Sequence, residues 1–303
     1  MNSETQAPET LLRQKAKSLG FIKIGFTLPG CPPFFNSFED WVSQKRYGDM
    51  DWITRHVELR KNPQLLLKGC KTIISLAYPY SGKIPTSPDG LRAARYTQGL
   101  EEDYHSRLKR LAKVLADFIS EIFPGARSRI CVDSAPVLER SIAYTAGLGF
   151  FGKNTMLIIP DYGSYFYLLE IFTTAAIPFK RLEPIESKCG QCTKCLDACP
   201  TGALSIPYTH HSESCLSYLT IEWKGQLKRE LARSMGRCFL GCDVCQEVCP
   251  FNKMSIETEI VLPTAREILE MNETGFQRVF GNTAFAQPGL NKIKSNVRVA
   301  LLQ

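Results

Sequence analysis

The sequence has no hydrophobic run long enough to cross a membrane. A membrane-spanning helix needs about 18 or more consecutive apolar residues, and charged side chains interrupt every candidate stretch. Residues 1–10 include two glutamates and no lysine or arginine, so they do not resemble a secretory or twin-arginine signal. There is also no fixed-period repeat and no low-complexity tract. These absences argue against a transmembrane protein and a repeat array, and they predict a cytoplasmic location without membrane contact.

An excess of charge of one sign is also nearly absent. The 303 residues carry 37 lysines and arginines against 30 aspartates and glutamates, which gives a net charge of +7. This mild excess permits a polyanionic partner but does not require one. Hydrophobic residues make up 44% and charged residues 22%, as in ordinary globular proteins. The length suits one large domain or two smaller ones.

Residues 1–188 alternate between helical and strand patterns, which predicts an α/β domain. Helices are predicted at 7–19, 108–122 and 135–146, and strands at 21–26, 71–77, 129–133, 155–159 and 165–172. The last two strands are predicted to form a hairpin around residues 161–163. Prolines and glycines predict a loop at 79–90, and residues 178–188 read as a linker.

Cysteine, by contrast, is abundant and concentrated. Nine of the 12 cysteines fall between Cys189 and Cys249. In a reducing cytoplasm such clusters indicate metal binding rather than disulfides. The first run is Cys189-x2-Cys192-x2-Cys195-x3-Cys199-Pro200, and the second is Cys242-x2-Cys245-x3-Cys249-Pro250. This spacing is typical of bacterial ferredoxins with two [4Fe-4S] clusters, in which the cysteine before proline binds the other cluster.

That crossing predicts two ligand sets. One cluster would be held by Cys189, Cys192, Cys195 and Cys249. The other would be held by Cys199, Cys242, Cys245 and one of two further cysteines, Cys215 or Cys238. Zinc is the competing interpretation, because paired CxxC motifs also build Zn(Cys)4 sites. Consecutive x2 spacings and the cysteine–proline pairs favour iron–sulfur clusters.

Several other candidate residues have ordinary structural explanations. Three scattered cysteines are predicted to pack in the core and two histidines to lie in a loop: Cys31, Cys70, Cys131, His210 and His211. Residues 147–152 match the dinucleotide fingerprint GxGxxG, but a helical pattern precedes them and a strand pattern follows, which reverses the required order. A P-loop is excluded as well, because Asn154 stands where a serine or threonine would bind magnesium.

Five segments together resemble one enzyme family. They are VDSAPVLER at 132–140, GFFGKNT at 149–155, CGQCTKCLDACPTGAL at 189–204, CLSYLTIE at 215–222 and GCDVCQEVCPFN at 241–252. These segments resemble the epoxyqueuosine reductases, cobalamin-dependent enzymes with two [4Fe-4S] clusters. The family performs the last step of queuosine synthesis at the wobble base of tRNA. The resemblance runs from about residue 10 to residue 303, and its VDSAPVLER and SYLTIE motifs are far more specific than the cysteine spacing.

The resemblance implies an architecture. An α/β (α+β) cobalamin-binding domain similar to that of reductive dehalogenases would span residues 1–180. A ferredoxin-like two-cluster domain would span 181–262, and a helical tail at 263–303 would pack on the core. Many members continue into a helical-repeat domain that helps to grip tRNA. No such domain is expected here, so the tRNA contacts are expected to come from the core, and segment 95–105 appears longer than the family pattern.

The resemblance also implies residue roles. Cys215 rather than Cys238 would complete the second cluster, and Asp133 would donate a proton to the opening epoxide. The cob(II)alamin site would be lined by Arg60, Asp133, Lys153, Asn154, Leu157, Leu168, Ser217 and Asp243. A free aspartate has a pKa near 3.9, so Asp133 would need desolvation to hold a proton at neutral pH. From the residues alone, a structural role for Asp133 is favoured, either as an N-cap of the next helix or as a partner of Arg140.

The implied partners are a tRNA anticodon stem-loop carrying epoxyqueuosine and an external electron donor such as a flavodoxin or ferredoxin. Between the two cysteine runs, Lys224, Lys228 and Arg229 could hold tRNA phosphates or simply form a solvated face. Two competing functions share the cofactor pattern. A reductive dehalogenase-like corrinoid enzyme usually carries a twin-arginine signal, and a ferredoxin-type electron carrier would leave the first 188 residues without a task.

Overall fold

The computed structural model describes residues 6–80, 82–253 and 257–302. Its α-helices are α1 (Pro8–Ser18), α2 (Phe35–Ser43), α3 (Val57–Lys61), α4 (Tyr104–Ile122), α5 (Glu139–Thr145), α6 (Lys194–Asp197), α7 (Leu216–Ile221), α8 (Ala232–Met235), α9 (Val244–Glu247), α10 (Ala265–Glu270), α11 (Glu273–Phe280) and α12 (Gly289–Ala300). Its strands are β1 (Lys23–Thr27), β2 (Thr72–Pro79), β3 (Ile84–Thr86), β4 (Arg92–Ala93), β5 (Ser128–Cys131), β6 (Phe150–Phe151), β7 (Leu157–Ile158), β8 (Phe166–Thr173), β9 (Cys238–Leu240) and β10 (Thr258–Ile260). Short 3-10 helices lie at Asp51–Thr54, Pro63–Leu66, Arg95–Thr97, Ser212–Ser214, Arg229–Leu231 and Ala284–Ala286.

Strands β1, β2, β8 and β5 form the main sheet of the N-terminal half, in that order. Every neighbouring pair is antiparallel, with Ile171 of β8 opposite Ile74 of β2 and Ile130 of β5. The predicted mixture of helices and strands is confirmed. The antiparallel pairing makes this half α+β, because helices alternate with strands along the chain without producing a parallel sheet.

Helices α1 and α4 cover one face of the sheet. Helix α4 begins after Asp103, whose side chain accepts a hydrogen bond from the backbone N–H of His105. Three α4 positions at helical spacing are completely buried in the core shared with the sheet: Leu108, Leu115 and Ile119. The periodic pattern in the sequence therefore predicts this helix well, and the N-cap extends it to Tyr104.

Helix α5 covers the opposite face. It begins at Glu139, four residues later than predicted, because Pro136 favours an extended conformation in the preceding segment. Gly25 of β1 lies directly under the end of this helix. A side chain at Gly25 would overlap the backbone carbonyl of Ala146, so glycine permits the helix to pack against the strand.

Two local predictions are wrong. The strands at Leu157–Ile158 and Phe166–Thr173 do not form a hairpin with each other: β7 pairs with β6, and β8 pairs with β2 and β5. Only an isolated bridge between Ile159 and Gly163 closes the predicted turn. The predicted loop at 79–90 contains strand β3, which pairs in parallel with the distant β10.

The C-terminal half has its own sheet and core. Strands β10, β3, β4 and β9 form this sheet, so the N-terminal segments β3 and β4 contribute to it. Helix α12, which the sequence does not predict separately, packs against β9 through Ile293 and Val297, and both side chains are fully buried. Residues 178–188 contain neither helix nor strand, as expected of the linker. In the described part of the chain, no helix has both the length and the apolar character needed to span a membrane.

Candidate active site and metal centre

Four cysteines from the two runs surround one cavity. The short helices α6 and α9 place the thiols of Cys189, Cys192, Cys195 and Cys249 around a space of about 140 Å³. A [4Fe-4S] cube takes four thiolates, one on each iron, so the residues fit such a cluster. We call these four residues the outer cysteine site.

The second predicted set also comes together. The pKa of the Cys242 thiol is raised to about 12, and burial is the largest cause. The neighbouring Cys215, Asp243 and Cys199 raise it further. Burial and the thiols of Cys242 and Cys215 also raise the pKa of Cys245. We call Cys199, Cys215, Cys242 and Cys245 the inner cysteine site. The sites adjoin, because Cys245 also lies within electrostatic reach of Cys195 in the outer site.

The structure distinguishes Cys215 from Cys238. Cys215 is the N-cap residue of α7, and its thiol lies near that of Cys242. Cys238 lies in β9, where its Sγ donates to the carbonyl oxygens of Leu240 and Gly241 at 3.5 Å. Burial and the nearby Cys242 raise the pKa of Cys238, but in the described part of the chain Cys238 approaches only that one inner cysteine, whereas Cys215 lies within electrostatic reach of Cys199, Cys242 and Cys245. These contacts favour Cys215 as the fourth ligand.

The geometry of the thiols bears on the zinc interpretation. Within residues 6–80, 82–253 and 257–302, no three His, Cys, Asp or Glu side chains converge as the ligands of a single metal ion. Zinc needs its ligands about 2.0–2.3 Å from one centre. The outer thiols instead stand around a cavity, which suits a cube with an iron at each corner better than one ion.

The scattered cysteines and histidines have mixed outcomes. Cys131 is fully buried in the core, as predicted, and Cys70 is half-buried. Cys31 is exposed, so the prediction of core packing is wrong for it. His210 and His211 lie outside regular elements, as predicted, and burial lowers the pKa of His210 to about 4.

Asp133 follows the edge strand β5 and has an accessible side chain. The side chain is 59% exposed, and the backbone φ of 51° lies in the left-handed region that few non-glycine residues adopt. The backbone N–H donates to Glu139 Oε1 at 2.7 Å, which stabilises this conformation. Leu138 is the N-cap residue of α5, so the interpretation of Asp133 as a helix cap is wrong. Arg140 Nη1 donates to the carbonyl of Thr155 at 2.7 Å.

Two side chains from the start of α4 bind the Asp133 carboxylate. Its Oδ2 accepts a hydrogen bond from the Tyr104 hydroxyl at 2.9 Å and lies 3.0 Å from His105 Nε2. The other ring nitrogen of His105, Nδ1, lies 2.8 Å from Asp103 Oδ1. Because Asp103 also caps α4, the helix start fixes the imidazole between two carboxylates.

The pKa shifts of His105 and Asp133 have opposite directions, which favours His105 as the holder of the shared proton. Desolvation acts to lower the pKa of His105, but hydrogen bonds and charges from Asp133 and Asp103 outweigh it and raise the pKa. Desolvation acts to raise the pKa of Asp133, but hydrogen bonds from His105 and Tyr104 outweigh it and lower the pKa. Desolvation therefore does not keep Asp133 itself protonated, and both shifts favour a carboxylate paired with an imidazolium.

Tyr96 lies within electrostatic reach of Asp133 and Asp243, and its ring packs against Gly241, the residue before Cys242. Burial raises the pKa of its phenol, and the nearby charges of Asp243 and Asp133 raise it further. Asp243 is the N-cap residue of α9 and stands between two inner cysteines in the sequence. Glu222, which also acts on Tyr96, follows α7, the helix that begins beside Cys215. The carboxylate group and the inner site are therefore neighbours.

The residues predicted to line the corrinoid site differ in accessibility. Arg60, Asn154, Leu157 and Asp243 are buried, Lys153, Leu168 and Ser217 are half-buried, and Asp133 is exposed. Asp243 accepts the backbone N–H of Arg95 at 2.7 Å, and Asn154 Nδ2 donates to the carbonyl of Cys245 at 3.3 Å. Both side chains are thus engaged with protein. Accessible polar groups of this set include the carboxylate of Asp133 and the hydroxyl of Ser217, and a corrinoid contact stays a prediction for all eight residues.

The glycine-rich stretch has a packing role. Helix α5 precedes it and strands β6 and β7 occupy and follow it, so the rejection of a dinucleotide fingerprint is confirmed. Side chains at Gly149 or Gly152 would overlap Ile158, which shows how closely β6 approaches β7. Lys153 Nζ donates to the carbonyl of Gly190 at 2.7 Å and lines the outer cysteine site. A corrinoid contact for Lys153 stays a prediction.

The three basic residues predicted for tRNA form an exposed strip after α7. Lys224, Lys228 and Arg229 are all exposed, and no ion pair involving them is seen in the described part of the chain. Glu222 lies two residues before Lys224 and within electrostatic reach of Asp133. The strip therefore begins near the opening at Asp133.

Sequence reasoning does not identify Tyr104 and Glu139 as side chains that position Asp133. Tyr104 and Glu139 belong to motifs that the resemblance includes or adjoins, yet neither shows a role by residue type alone. One signal is present in the sequence: an aspartate before a helix, followed two residues later by a histidine. An N-cap aspartate at Asp103 brings its carboxylate close to the first turn, where His105 lies.

Comparisons with known proteins cover both halves of the chain. A family model described as "Epoxyqueuosine reductase QueG, DUF1730" matches residues 60–134. A second model, described as "4Fe-4S double cluster binding domain", matches residues 188–252. The first segment includes Tyr96, His105 and Asp133, and the second includes every cysteine of the outer and inner sites.

Curated and solved relatives agree with these models. Epoxyqueuosine reductase of Bacillus subtilis (strain 168) is 36% identical over 98% of this chain and 79% of its own length. The Escherichia coli (strain K12) enzyme is 34% identical over 96% of this chain and 79% of its own length. A crystal structure of epoxyqueuosine reductase with an epoxyqueuosine-modified tRNA-Tyr stem loop superposes with a TM-score of 0.84 at 34% identity, covering 97% of this chain and 80% of that one. A Bacillus subtilis structure whose catalytic aspartate loop is swung out of the active site also gives 0.84, with the same identity and coverage.

Proposed function

Since the chain belongs to the epoxyqueuosine reductase family, we propose that it reduces epoxyqueuosine to queuosine at the wobble base of tRNA. It is an oxidoreductase with a double [4Fe-4S] cluster domain at residues 188–252. The observation that carries the proposal is the group of Asp103, His105 and Asp133, which Tyr96 connects to the inner cysteine site. A relative is bound to an epoxyqueuosine-modified stem loop, and we assign the same substrate class to this chain.

The two cysteine sites would each hold a [4Fe-4S] cluster, and a cobalamin would lie beside Asp133 and Ser217. When bound, the clusters supply electrons one at a time, and the reduced cobalt is a strong nucleophile or radical partner. Removal of the epoxide oxygen as water takes up two electrons and two protons. The remaining task of the protein is therefore to bind the tRNA and to deliver protons to that oxygen.

The residues around Asp133 are arranged for proton delivery. His105 holds a proton at Nε2, 3.0 Å from Asp133 Oδ2, so Asp133 can accept it and pass it to the epoxide oxygen. Asp103 binds Nδ1 and stabilises the imidazolium between transfers. Tyr104 donates to the same Oδ2 at 2.9 Å and so fixes the direction of the carboxylate.

The competing functions are less well supported. A plain electron carrier would need only the cysteine segment, yet residues 60–134 match the reductase model as well. A dehalogenase-like enzyme would need no tRNA surface, whereas the exposed strip at Lys224, Lys228 and Arg229 begins near Asp133.

The function is tested by incubating the purified, iron-reconstituted protein with cobalamin, a chemical reductant and tRNA that carries epoxyqueuosine. Conversion to queuosine, measured by mass spectrometry of the tRNA nucleosides, is the expected result. Reactions without cobalamin or without reductant are the controls. Full cluster loading without any conversion would contradict the proposal.

A further inference from the structure

Three lysines surround the mouth of the outer cysteine site. Lys153, Lys188 and Lys194 line the same cavity as its four cysteines. Lys153 donates to the carbonyl of Gly190, a neutral acceptor that leaves the positive charge in place. Lys188 and Lys194 are exposed and form no ion pair with any residue that the structure describes. We call these three residues the lysine collar.

An exposed apolar surface adjoins the lysine collar. Tyr208 is 50% exposed, and its backbone N–H donates to the carbonyl of Lys153 at 2.9 Å. Its hydroxyl donates to Ser187 Oγ at 2.9 Å, next to Lys188 in the chain. Ile206, two residues earlier, is 52% exposed. A small apolar surface beside a cavity whose charged lining residues are all lysines is the composition expected of a small, transient protein interface.

The outer site is also where electrons would enter. Tyr96, which lies beside Asp133, packs against Gly241 next to Cys242 of the inner site, and Asn154, which lines the outer site, donates to the carbonyl of Cys245. The order from the reaction centre outwards is therefore Asp133, inner site, outer site. A cavity lined by its four cysteines and by the exposed Lys188 and Lys194 joins the outer site to the surface.

We propose that the lysine collar, with Tyr208 and Ile206 beside it, is the docking surface for a small electron-carrier protein with an acidic surface around its redox group. The proposal rests on the proposed function, because it assumes a cluster in each cysteine site. At each encounter the reduced carrier loses one electron and the outer cluster gains it. Two encounters supply one turnover, and the protons arrive separately through His105 and Asp133.

Attraction between the collar and an acidic carrier predicts a fast, salt-sensitive reaction. The test uses the reconstituted protein and flavodoxin hydroquinone as an acidic probe, with cluster bleaching followed by stopped-flow absorbance. The double variant Lys188→Glu/Lys194→Glu should lower the bimolecular rate constant by about 10-fold or more at low salt. Its rate constant should also depend less on ionic strength than that of the unaltered protein.

Matched controls separate docking from other effects of charge. Lys17→Glu/Lys23→Glu makes the same charge change on exposed residues of α1 and β1 and should leave the rate unchanged. Methyl viologen radical cation, a small reductant of opposite charge, should reduce the collar variant at least as fast as the unaltered protein. Iron content and tRNA affinity should not change, and Lys188→Gln/Lys194→Gln should give an intermediate rate if charge reversal impairs folding.

Three other outcomes overturn the proposal, and a fourth bears on the proposed function instead. Equal loss in the control variant would indicate a general effect of net charge. Slower reduction by both probes would show that the lysines only stabilise the reduced cluster. Weaker tRNA binding with an unchanged flavodoxin reaction would assign the surface to RNA. Absence of queuosine formation with the chemical reductant would contradict the proposed function but leave the measured flavodoxin reaction intact.

Discussion

Asp133 has a left-handed backbone that aspartate adopts only occasionally, and contacts from other elements hold it there. Glu139 accepts its N–H, and Tyr104 and His105 bind its carboxylate. Such a conformation costs about 1–3 kcal/mol, so its presence beside an imidazolium points to a functional constraint.

Asp133→Asn should preserve the fold and both clusters, because asparagine is nearly isosteric and tolerates the left-handed region. Turnover should fall by roughly 10² to 10⁴, since asparagine cannot relay a proton. Single-turnover conversion of the modified tRNA measures the effect, with iron content as the control. Unaltered turnover, under conditions in which chemistry limits the rate, would remove Asp133 from the mechanism.

His105→Gln should move the alkaline limb of the activity profile to lower pH. In the unaltered protein the raised pKa of His105 retains the proton, and activity falls as the pH rises through that value. Without the imidazolium the proton must stay on Asp133, and carboxyl groups lose protons about two pH units below imidazoles. Tyr104→Phe, which removes a neutral donor, should leave the limb almost in place. An unshifted limb in His105→Gln would show that His105 holds no catalytic proton.

Iron content distinguishes the two candidate ligands of the second cluster, Cys215 and Cys238. Cys215→Ala should reduce the iron content from about eight atoms per chain to about four, because one cubane is left without a ligand. Cys238→Ala should retain about eight, since this thiol donates to two backbone carbonyls instead of binding iron. Iron and sulfide analysis after anaerobic reconstitution is the measurement. The reverse pattern would exclude Cys215 as the ligand.

At the scale of elements, the predictable parts are those that depend on neighbours in the sequence. Helix α4 is predicted by apolar residues at helical spacing. The short helices α6 and α9 lie within the two cysteine runs. The hairpin prediction fails because β8 pairs with β2, which lies far earlier in the chain: Ser75 and Glu170, which face each other in these strands, are 95 positions apart. Two-residue strands such as β6 carry too few residues to show a pattern.

In the candidate site, too, contacts set by nearby residues in the sequence are predictable, and contacts between distant residues are not. Cysteine spacing predicts which thiols gather, because ligand geometry limits the spacing. The partners of Asp133 cannot be predicted in this way, since the contact with His105 joins residues 28 positions apart. That contact depends on how the start of α4 meets the end of β5, which tertiary packing alone determines.

The basic strip after α7 is predicted to contribute to tRNA binding. Lys224→Gln, Lys228→Gln and Arg229→Gln should each weaken tRNA binding with little dependence on sequence. The slope of log affinity against log salt should fall by about one for each phosphate that the variant no longer binds. Filter binding across a salt series measures it, and Lys17→Gln on α1 is the matched control. An unchanged slope would show that the strip is only a solvated face.

At the scale of the whole molecule, the two halves differ in what holds them together. The N-terminal half has a four-stranded sheet covered by helices on both faces. The segment from Pro178 to His211 has one four-residue helix and mostly exposed or half-buried side chains. Little apolar burial stabilises that segment. Its ordered conformation should therefore depend on the iron–sulfur clusters that its cysteines would bind.

Removal of the clusters should therefore loosen one part of the molecule before the rest. After anaerobic chelation of iron, residues 178–211 should become accessible to proteases and exchange their amide hydrogens quickly, because ligand bonds replace a packed core there. The sheet of β1, β2, β8 and β5 should keep its protection, since its apolar core contains none of the proposed ligands. Hydrogen exchange followed by mass spectrometry measures both regions in one sample, and reconstitution with iron and sulfide should restore the protection. Uniform loss of protection across both halves would show that the clusters support the whole fold, and unchanged protection at 178–211 would show that the segment is ordered without them.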